Sequence, residues 1–119
     1  MDKKLSWVYM TCGSLDEARK LGQVILEKNL AACVNILDGM RSLYRWEGTV
    51  QEDQEILLIA KTRHKLMDEL TETVLANHSY ECPCILELPI DGGNQEFLQW
   101  IVSETKGGSK NQTDQKSQN

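Results

Sequence analysis

No stretch of this 119-residue chain approaches the roughly 18 consecutive apolar residues that a membrane-spanning helix needs. The amino terminus, MDKKLSWVYM, has two lysines and then an apolar run too short for a signal-peptide core. No small-residue cleavage site follows, so the expectation is a cytoplasmic protein with no membrane span. Basic residues are in deficit: 13 Lys and Arg face 18 Asp and Glu, for a net charge of -5. That balance argues against a nucleic-acid binder that works by covering phosphates. No C-x-x-C pair is present among Cys12, Cys33, Cys82 and Cys84. In a reducing compartment these are expected as free thiols or thiolate ligands rather than bridges. The segment CGSLDE lacks the lysine of a phosphate loop, and no G-x-S-x-G element occurs. With no catalytic motif, the chain is not expected to be an enzyme.

What is present is a chain with 40% apolar and 26% charged residues, enough for one soluble domain with one core. LSWVYMTC (5–12) is short, β-branched and aromatic, as a buried strand is. Ser14 and Glu17 have capping-box spacing, and Leu15, Ala18, Leu21, Gly22 and Ile25 recur at helical period, so a helix is expected to end near Lys28 or Asn29. AACVNIL (31–37) is a second strand, DGM a bend or bulge, RSLYRW a resumed strand, and EG at 47–48 a tight hairpin turn. EILLIAKT (55–62) has the near-continuous apolar character of a central strand buried on both faces. Met67, Leu70 and Val74 mark one face of a second helix, HSYECP leads out of it, and CILELPI (84–90) is the fourth strand. Phe97, Trp100 and Ile101 form the apolar side of a short C-terminal helix.

This order is the α+β, ferredoxin-like βαββαβ sandwich, with one long β-hairpin and an added C-terminal helix. Residues 1–106 are expected to form the domain and 107–119 a disordered polar tail, because the tail has no apolar anchor. The hairpin from Ala31 to Thr62 is longer than a compact sandwich needs. Its distal half carries Leu43, Tyr44 and Trp46, apolar surface of the kind that marks an interface, so a homo-oligomer is expected.

The densest chemistry lies in HSYECPC (78–84). Cys82 and Cys84 flank Pro83, and residues two apart in an extended segment point the same way. With His78 they offer the thiolate and imidazole donors that suit copper or zinc. The alternative is that Cys84 opens a buried strand as a small hydrophobe, Cys82 is a loop residue and His78 a helix-end residue. Tyr80 and Glu81 have the chemistry of an acid/base pair. Lys61, ending an apolar strand, suits an anion, although such a lysine more often reaches for water.

The segments LAACVNIL, SLYRWEG, EILLIAKT, HSYECP, LELPI and FLQWI, in that order, resemble the CutA divalent-cation-tolerance family over about residues 5–105. The resemblance implies a ferredoxin-like homotrimer, related in architecture to the PII signalling trimers. It implies binding of copper or another divalent metal ion and a part in metal tolerance. In animal members it also implies a link to the membrane anchoring of acetylcholinesterase, hence a protein partner. Residue by residue, Cys12 matches a cysteine that ligates copper in bacterial members, and His78 matches a histidine ligand. Asn77 stands where some members have a second histidine, and Cys84 where an acidic residue is usual. Cys84, with Cys82 nearby, would rebuild the metal site with softer donors. Trp46, Lys61 and Tyr80 match positions around a ligand cleft between subunits. The alternative function this implies is a signalling trimer that binds a small ligand in that cleft and docks a protein partner.

Overall fold

Apolar alternation in the strands and helical periodicity between them produce β1 (Leu5–Cys12), α1 (Leu15–Glu27), β2 (Cys33–Trp46) and β3 (Thr49–Arg63). A 3-10 turn (His64–Leu66), α2 (Met67–Asn77), β4 (Ile85–Ile90) and α3 (Gln95–Ser103) follow. The structure, a computed structural model, describes residues 4–108. The strands form one antiparallel sheet in the order β2-β3-β1-β4, the ferredoxin-like arrangement expected from the element order. The expected disordered tail lies outside the described residues from 109 onward.

Both ends of α1 are closed by local chemistry. Ser14 has an extended backbone and its Oγ accepts the Glu17 N–H at 3.1 Å, a cap worth about 1 kcal/mol. At the other end Asn29 takes a left-handed conformation (φ 59°). Its N–H bonds the Leu26 carbonyl and that of Leu30 bonds the Ile25 carbonyl, which satisfies two orphan acceptors of the last turn. Between these ends Ala18, Leu21 and Ile25 are buried with Val8, Met10 and Cys12 of β1, Leu58 and Ala60 of β3, and Leu70 and Val74 of α2. Each fully buried Leu or Ile in this core contributes about 1.5–3 kcal/mol. Gly22 lets α1 approach β2: a Cβ there would lie 3.0 Å from Val34 Cγ2.

The helices α1 and α2 cover one face of the sheet. On β3 the residues toward them, Ile56, Leu58, Ala60 and Thr62, are buried, whereas Leu57, Ile59 and Lys61 are only partly covered. The expectation that EILLIAKT is buried on both faces is therefore corrected for the single chain: β3 is central, but its second face is half open. The expected burial of the fourth strand is corrected too. β4 is a sheet edge whose one strand neighbour is β1, and Leu86 and Leu88, paired with Tyr9 and Trp7, are exposed on the open face. Within α3, Ile101 is buried, Trp100 is half-buried and Phe97 is exposed; Lys61 Nζ sits 5.8 Å from the Phe97 ring centre.

β3 pairs with β1 only from Ile56 to Arg63; from Thr49 to Glu55 its sole partner is β2. The hairpin therefore projects as a two-stranded ribbon, and the fold measures 53 × 25 × 24 Å. The ribbon turns at Glu47 and Gly48, both at positive φ (49° and 82°), as a two-residue turn matched to strand twist requires. The expected irregularity at DGM is a register shift between Leu37 and Met40. Such a bulge adds twist and re-aims the strand beyond it.

The segment after α3 returns to the body. The Lys106 N–H donates to the Asn29 carbonyl at 2.7 Å, and Lys106 Nζ pairs with Glu69 at 2.9 Å. The buried Arg63 donates through Nε to Thr105 Oγ1 at 3.0 Å and through a terminal nitrogen to the Lys106 carbonyl. A chain ending after Gly108 keeps all these contacts and should show an unchanged urea midpoint. A chain ending after Glu104 strips Arg63 of both acceptors and should lose about 1–3 kcal/mol of stability. Equal midpoints for the two truncations would show that this clasp contributes nothing.

Candidate functional site

Three segments meet at the end of the sheet from which the ribbon departs: the β1–α1 junction, β3 at Glu55, and residues 78–84 between α2 and β4. Cys12, the last residue of β1, points to the helix side and is fully buried. His78 caps the C-terminus of α2 with an extended backbone, which carries the chain away from the helix.

The His78 side chain has no solvent exposure. Its Nε2 lies 2.8 Å from the Thr11 carbonyl oxygen, and its Nδ1 lies 3.1 Å from the Tyr80 backbone nitrogen. A carbonyl can only accept and a backbone N–H can only donate. The ring proton is therefore on Nε2, and Nδ1 carries the lone pair. Nδ1 also lies 3.5 Å from Glu17 Oε2.

Glu17 completes only part of the expected capping box. Its carboxylate does not return to the Ser14 N–H. Oε1 accepts the Gly13 N–H at 3.1 Å and Oε2 accepts the Ser79 N–H at 2.7 Å. The first turn of α1 is thereby tied to a loop 62 residues later in the chain. Tyr80 fastens the other side of that loop. Its ring centre is 4.7 Å from that of His78, and its hydroxyl donates to Glu55 Oε2 at 2.8 Å. Glu55 Oε1 accepts the Ser42 hydroxyl at 2.7 Å.

Electrostatics follow from this packing. Burial, reinforced by the carboxylates of Glu17 and Glu55, pushes the Cys12 thiol up to about 12, so it holds its proton at neutral pH. Burial alone would raise Glu17, but the N–H groups of Ser79 and Gly13 outweigh it and hold the carboxyl below its ordinary value. Tyr80 is raised by burial and by its bond to Glu55, and Cys84 is raised by burial and by the same carboxylate.

The side-chain donor atoms of Cys12, Glu17 and His78 all lie within 4.8 Å of one another. Among the described residues this is the one group of three or more such donors that close together. Around a tetrahedral zinc-like ion with bonds of about 2.0–2.3 Å, donors sit roughly 3.5 Å apart, so the trio needs a contraction of roughly 1 Å. Sulfur, nitrogen and carboxylate oxygen together suit a borderline ion such as Zn(II) or copper. The anchoring of the far imidazole N–H on a carbonyl is the support that metal-binding histidines commonly use. The donor set therefore fits a metal ion. Ligation through Nδ1 would take the lone pair now shared with the Tyr80 N–H. A shallow cleft of about 350 Å³ is lined by Ser14, Asp16, Glu17, Lys20, Asn77 and Ser79 among others, so Glu17 of the trio borders it.

Of the residues singled out in the sequence, Cys12 and His78 are brought together. Cys82 is exposed in the loop and Cys84 is half-buried just ahead of β4; neither belongs to the close trio. Tyr80 is at the site. Lys61 is on the open sheet face with its Nζ 2.8 Å from Asn35 Oδ1. Trp46 is at the ribbon tip, 49% exposed. Lys61 and the ribbon tip are separated by 12 residues of β3, roughly 40 Å of strand, so Trp46, Lys61 and Tyr80 form no cleft within one chain. Sequence reasoning missed Glu17 as a donor, reading it as a cap, and missed Glu55 altogether. Glu17 carried a signal in its capping position; Glu55 carried none beyond being acidic at the start of an apolar strand.

The described residues match known proteins over almost their whole span. The family profile for the CutA1 divalent ion tolerance protein matches residues 6–104. Among individual proteins, the chain is 48% identical to the chloroplastic CutA protein of Arabidopsis thaliana over 83% of its own length and 54% of that protein's. It is 46% identical to the divalent-cation tolerance protein CutA of Thermus thermophilus, over 82% of this chain and 95% of that one. It thus spans about half of the plant relatives and nearly all of the bacterial one. The crystal structure of CutA1 from Oryza sativa superposes with a TM-score of 0.85 at 46% identity, covering 87% of this chain and 95% of the other.

The burial of Cys12 predicts a separation of thiol reactivities. In the native protein an aromatic disulfide reagent should modify the exposed Cys82 readily and Cys12 only after denaturation. Peptide mapping after timed quenching reads this directly. Fast native labelling of Cys12 would mean that the 78–84 loop does not close over it.

Proposed function

The chain belongs to the CutA1 divalent ion tolerance family, and we propose from that membership and the site's geometry that it binds copper or another divalent cation through Cys12 and His78, as a protein of metal tolerance and homeostasis. The observation that carries the reading is the convergence of sulfur, nitrogen and oxygen donors within 4.8 Å from the β1–α1 junction and the distant 78–84 loop, with the Cys12 and His78 side chains fully buried. A bound ion would supply charge to a pocket that otherwise holds a protonated thiol beside carboxylates. Thr11 orients His78, the Ser79 and Gly13 N–H groups orient Glu17, and Tyr80 closes the loop over them. Cys84 and Cys82 are the reserve donors of this reading, since the loop that carries them also carries His78. The role is binding rather than catalysis. The four free cysteines suit a reducing compartment and a cytoplasmic placement, although relatives are named chloroplastic and, in Archaeoglobus fulgidus, periplasmic.

Assembly as a homotrimer is the second part of the reading. What supports it is apolar surface with no cover in the single chain: Leu37, Leu43, Val50, Leu86 and Leu88, with Trp46 at the ribbon tip, are all exposed. A lone two-stranded ribbon is marginal in water and gains stability from a third strand or a packed face. A cleft built by Trp46, Lys61 and Tyr80 would then lie between copies. Its occupation by a small ligand, with docking of a protein partner, is the signalling alternative to metal handling.

Two measurements test these proposals. In chelator competition, Cys12→Ser and His78→Ala should each weaken divalent-ion binding strongly relative to the unsubstituted protein. Because the Cys12 thiol keeps its proton up to about 12, ligation displaces one proton, and apparent affinity should rise about tenfold per pH unit through the neutral range. Affinity that is flat with pH would rule out Cys12 as a ligand. For assembly, sedimentation of the unsubstituted protein at micromolar concentration should give a trimer mass, and Trp46→Asp should shift it to smaller species or aggregates by burying a charge. A monomer in both cases defeats the interface assignment.

A further inference from the structure

We infer that Glu17 is the residue that selects ion valence at this site, acting as an anionic third donor that makes the Cys12–His78 pair a site for divalent rather than monovalent cations. The inference rests on the proposed metal-binding reading and goes beyond it, since Cys12 and His78 alone carry no such preference. A thiolate and a neutral imidazole are soft to borderline donors, and two of them suffice for a two-coordinate monovalent ion such as Cu(I) or Ag(I). The structure adds a carboxylate to that pair, with all three donor atoms within 4.8 Å.

Counting charge decides the consequence. When an ion is held, the Cys12 thiolate contributes minus one, the Glu17 carboxylate minus one and His78 nothing. A divalent ion makes the site neutral. A monovalent ion that displaces the Cys12 proton leaves the one negative charge that Glu17 already gives the metal-free site, where Cys12 and the His78 side chain are sealed from solvent. Only a divalent ion removes that charge, so Glu17 favours the divalent ion and is indifferent to the monovalent one. Glu55, which receives the Tyr80 and Ser42 hydroxyls beside the trio, adds negative charge of the same sign and deepens the preference.

Glu17 is also suited to the task by position. Its two N–H bonds occupy one lone pair on each oxygen, so each oxygen retains another for an ion. It lines the open cleft of about 350 Å³, whereas Cys12 and His78 do not. The basic Lys20 and the acidic Asp16 share that cleft. An arriving cation meets the Glu17 carboxylate before it meets the buried thiol.

The experiment is a pair of chelator competitions, with Zn(II) and with Ag(I), on the 119-residue protein and two variants. Glu17→Gln keeps size and removes the charge. It should weaken Zn(II) binding by about 100-fold or more and leave Ag(I) binding within about threefold. Ser79→Pro removes the N–H that Glu17 holds while leaving all three donors, and the extended backbone of His78 tolerates a following proline. It should weaken both ions alike. Equal losses for both ions in Glu17→Gln would reduce Glu17 to a loop clasp, and unchanged Zn(II) binding would remove it from the ligand set. Either result overturns the inference while leaving the Cys12–His78 reading in place. Should Glu17→Gln not fold, Glu17→Asp carries the test: it keeps the charge and must keep the Zn(II)-to-Ag(I) ratio, and a collapsed ratio overturns the inference. Unsubstituted protein that binds neither ion, or that binds both undiminished in Cys12→Ser and His78→Ala, overturns the underlying metal-binding reading as well and is recognised by that signature.

Discussion

The register of β1 between β3 and β4 is the constraint on which the rest of this fold depends. β1 pairs Val8 with Ala60 and Met10 with Leu58 on one side, and Tyr9 with Leu86 on the other. That register turns Val8, Met10 and Cys12 toward the helices and Trp7 and Tyr9 toward the open face. A slip of one residue would exchange the two sets and carry the Cys12 thiol to the wrong side of the sheet. It would also separate Cys12, opposite Ile56, from the Glu55 that lies one residue further along β3. Packing energy from the core thus fixes where a chemically distinctive thiol sits.

The site shows how local and distant hydrogen bonds share the same atoms. An N-terminal helix cap needs acceptors, and Glu17 would meet that need locally by bonding the Ser14 N–H. It bonds Gly13 and Ser79 instead, and one carboxylate both orders the start of α1 and pulls the 78–84 loop over Cys12. Two carboxylates beside a buried thiol are unfavourable unless something answers their charge. For Glu17 the answer in this structure is backbone N–H groups; for Glu55 it is two hydroxyls. Both answers leave acceptor lone pairs over, and these are what the metal-binding proposal draws on. Among the described residues no buried side-chain nitrogen or oxygen lacks a hydrogen-bond partner.

The open sheet face and the projecting ribbon belong together. Two helices are too few to cover both faces of a four-stranded sheet, and α3 covers only the end near Lys61. Leu86 and Leu88 stay uncovered on β4, as do Leu43, Trp46 and Val50 on the ribbon. Beyond the β2–β3 backbone ladder, the side chains that hold the ribbon within the chain make exposed polar contacts, among them Tyr44 with Asp53 and Arg41 with Glu52. Exposed ion pairs of this kind contribute little. The single chain thus leaves apolar surface open on β4 and on the ribbon, and it is on this surface that the proposed assembly rests.

Much of this was legible in the order of residues. The strand-helix order, the Ser14 cap, the helix end at Lys28 and Asn29, the bulge at DGM and the turn at Glu47-Gly48 all depend on interactions within a few residues, and local chemistry specifies them. His78 was legible as a candidate from its residue type, and Cys12 only through the resemblance to the CutA family. Their meeting was not, since Thr11 and His78 are 67 residues apart. Nor was the half-open state of β3 and β4, because an apolar run records that a strand is suited to burial, not which neighbour performs it. The diversion of Glu17 from its own helix to Ser79, and the use of Glu55 by Tyr80, were decided by tertiary structure alone. A carboxylate's partners are whatever donors the folded chain brings within about 3 Å, and that distance exists only after the sheet has set its register.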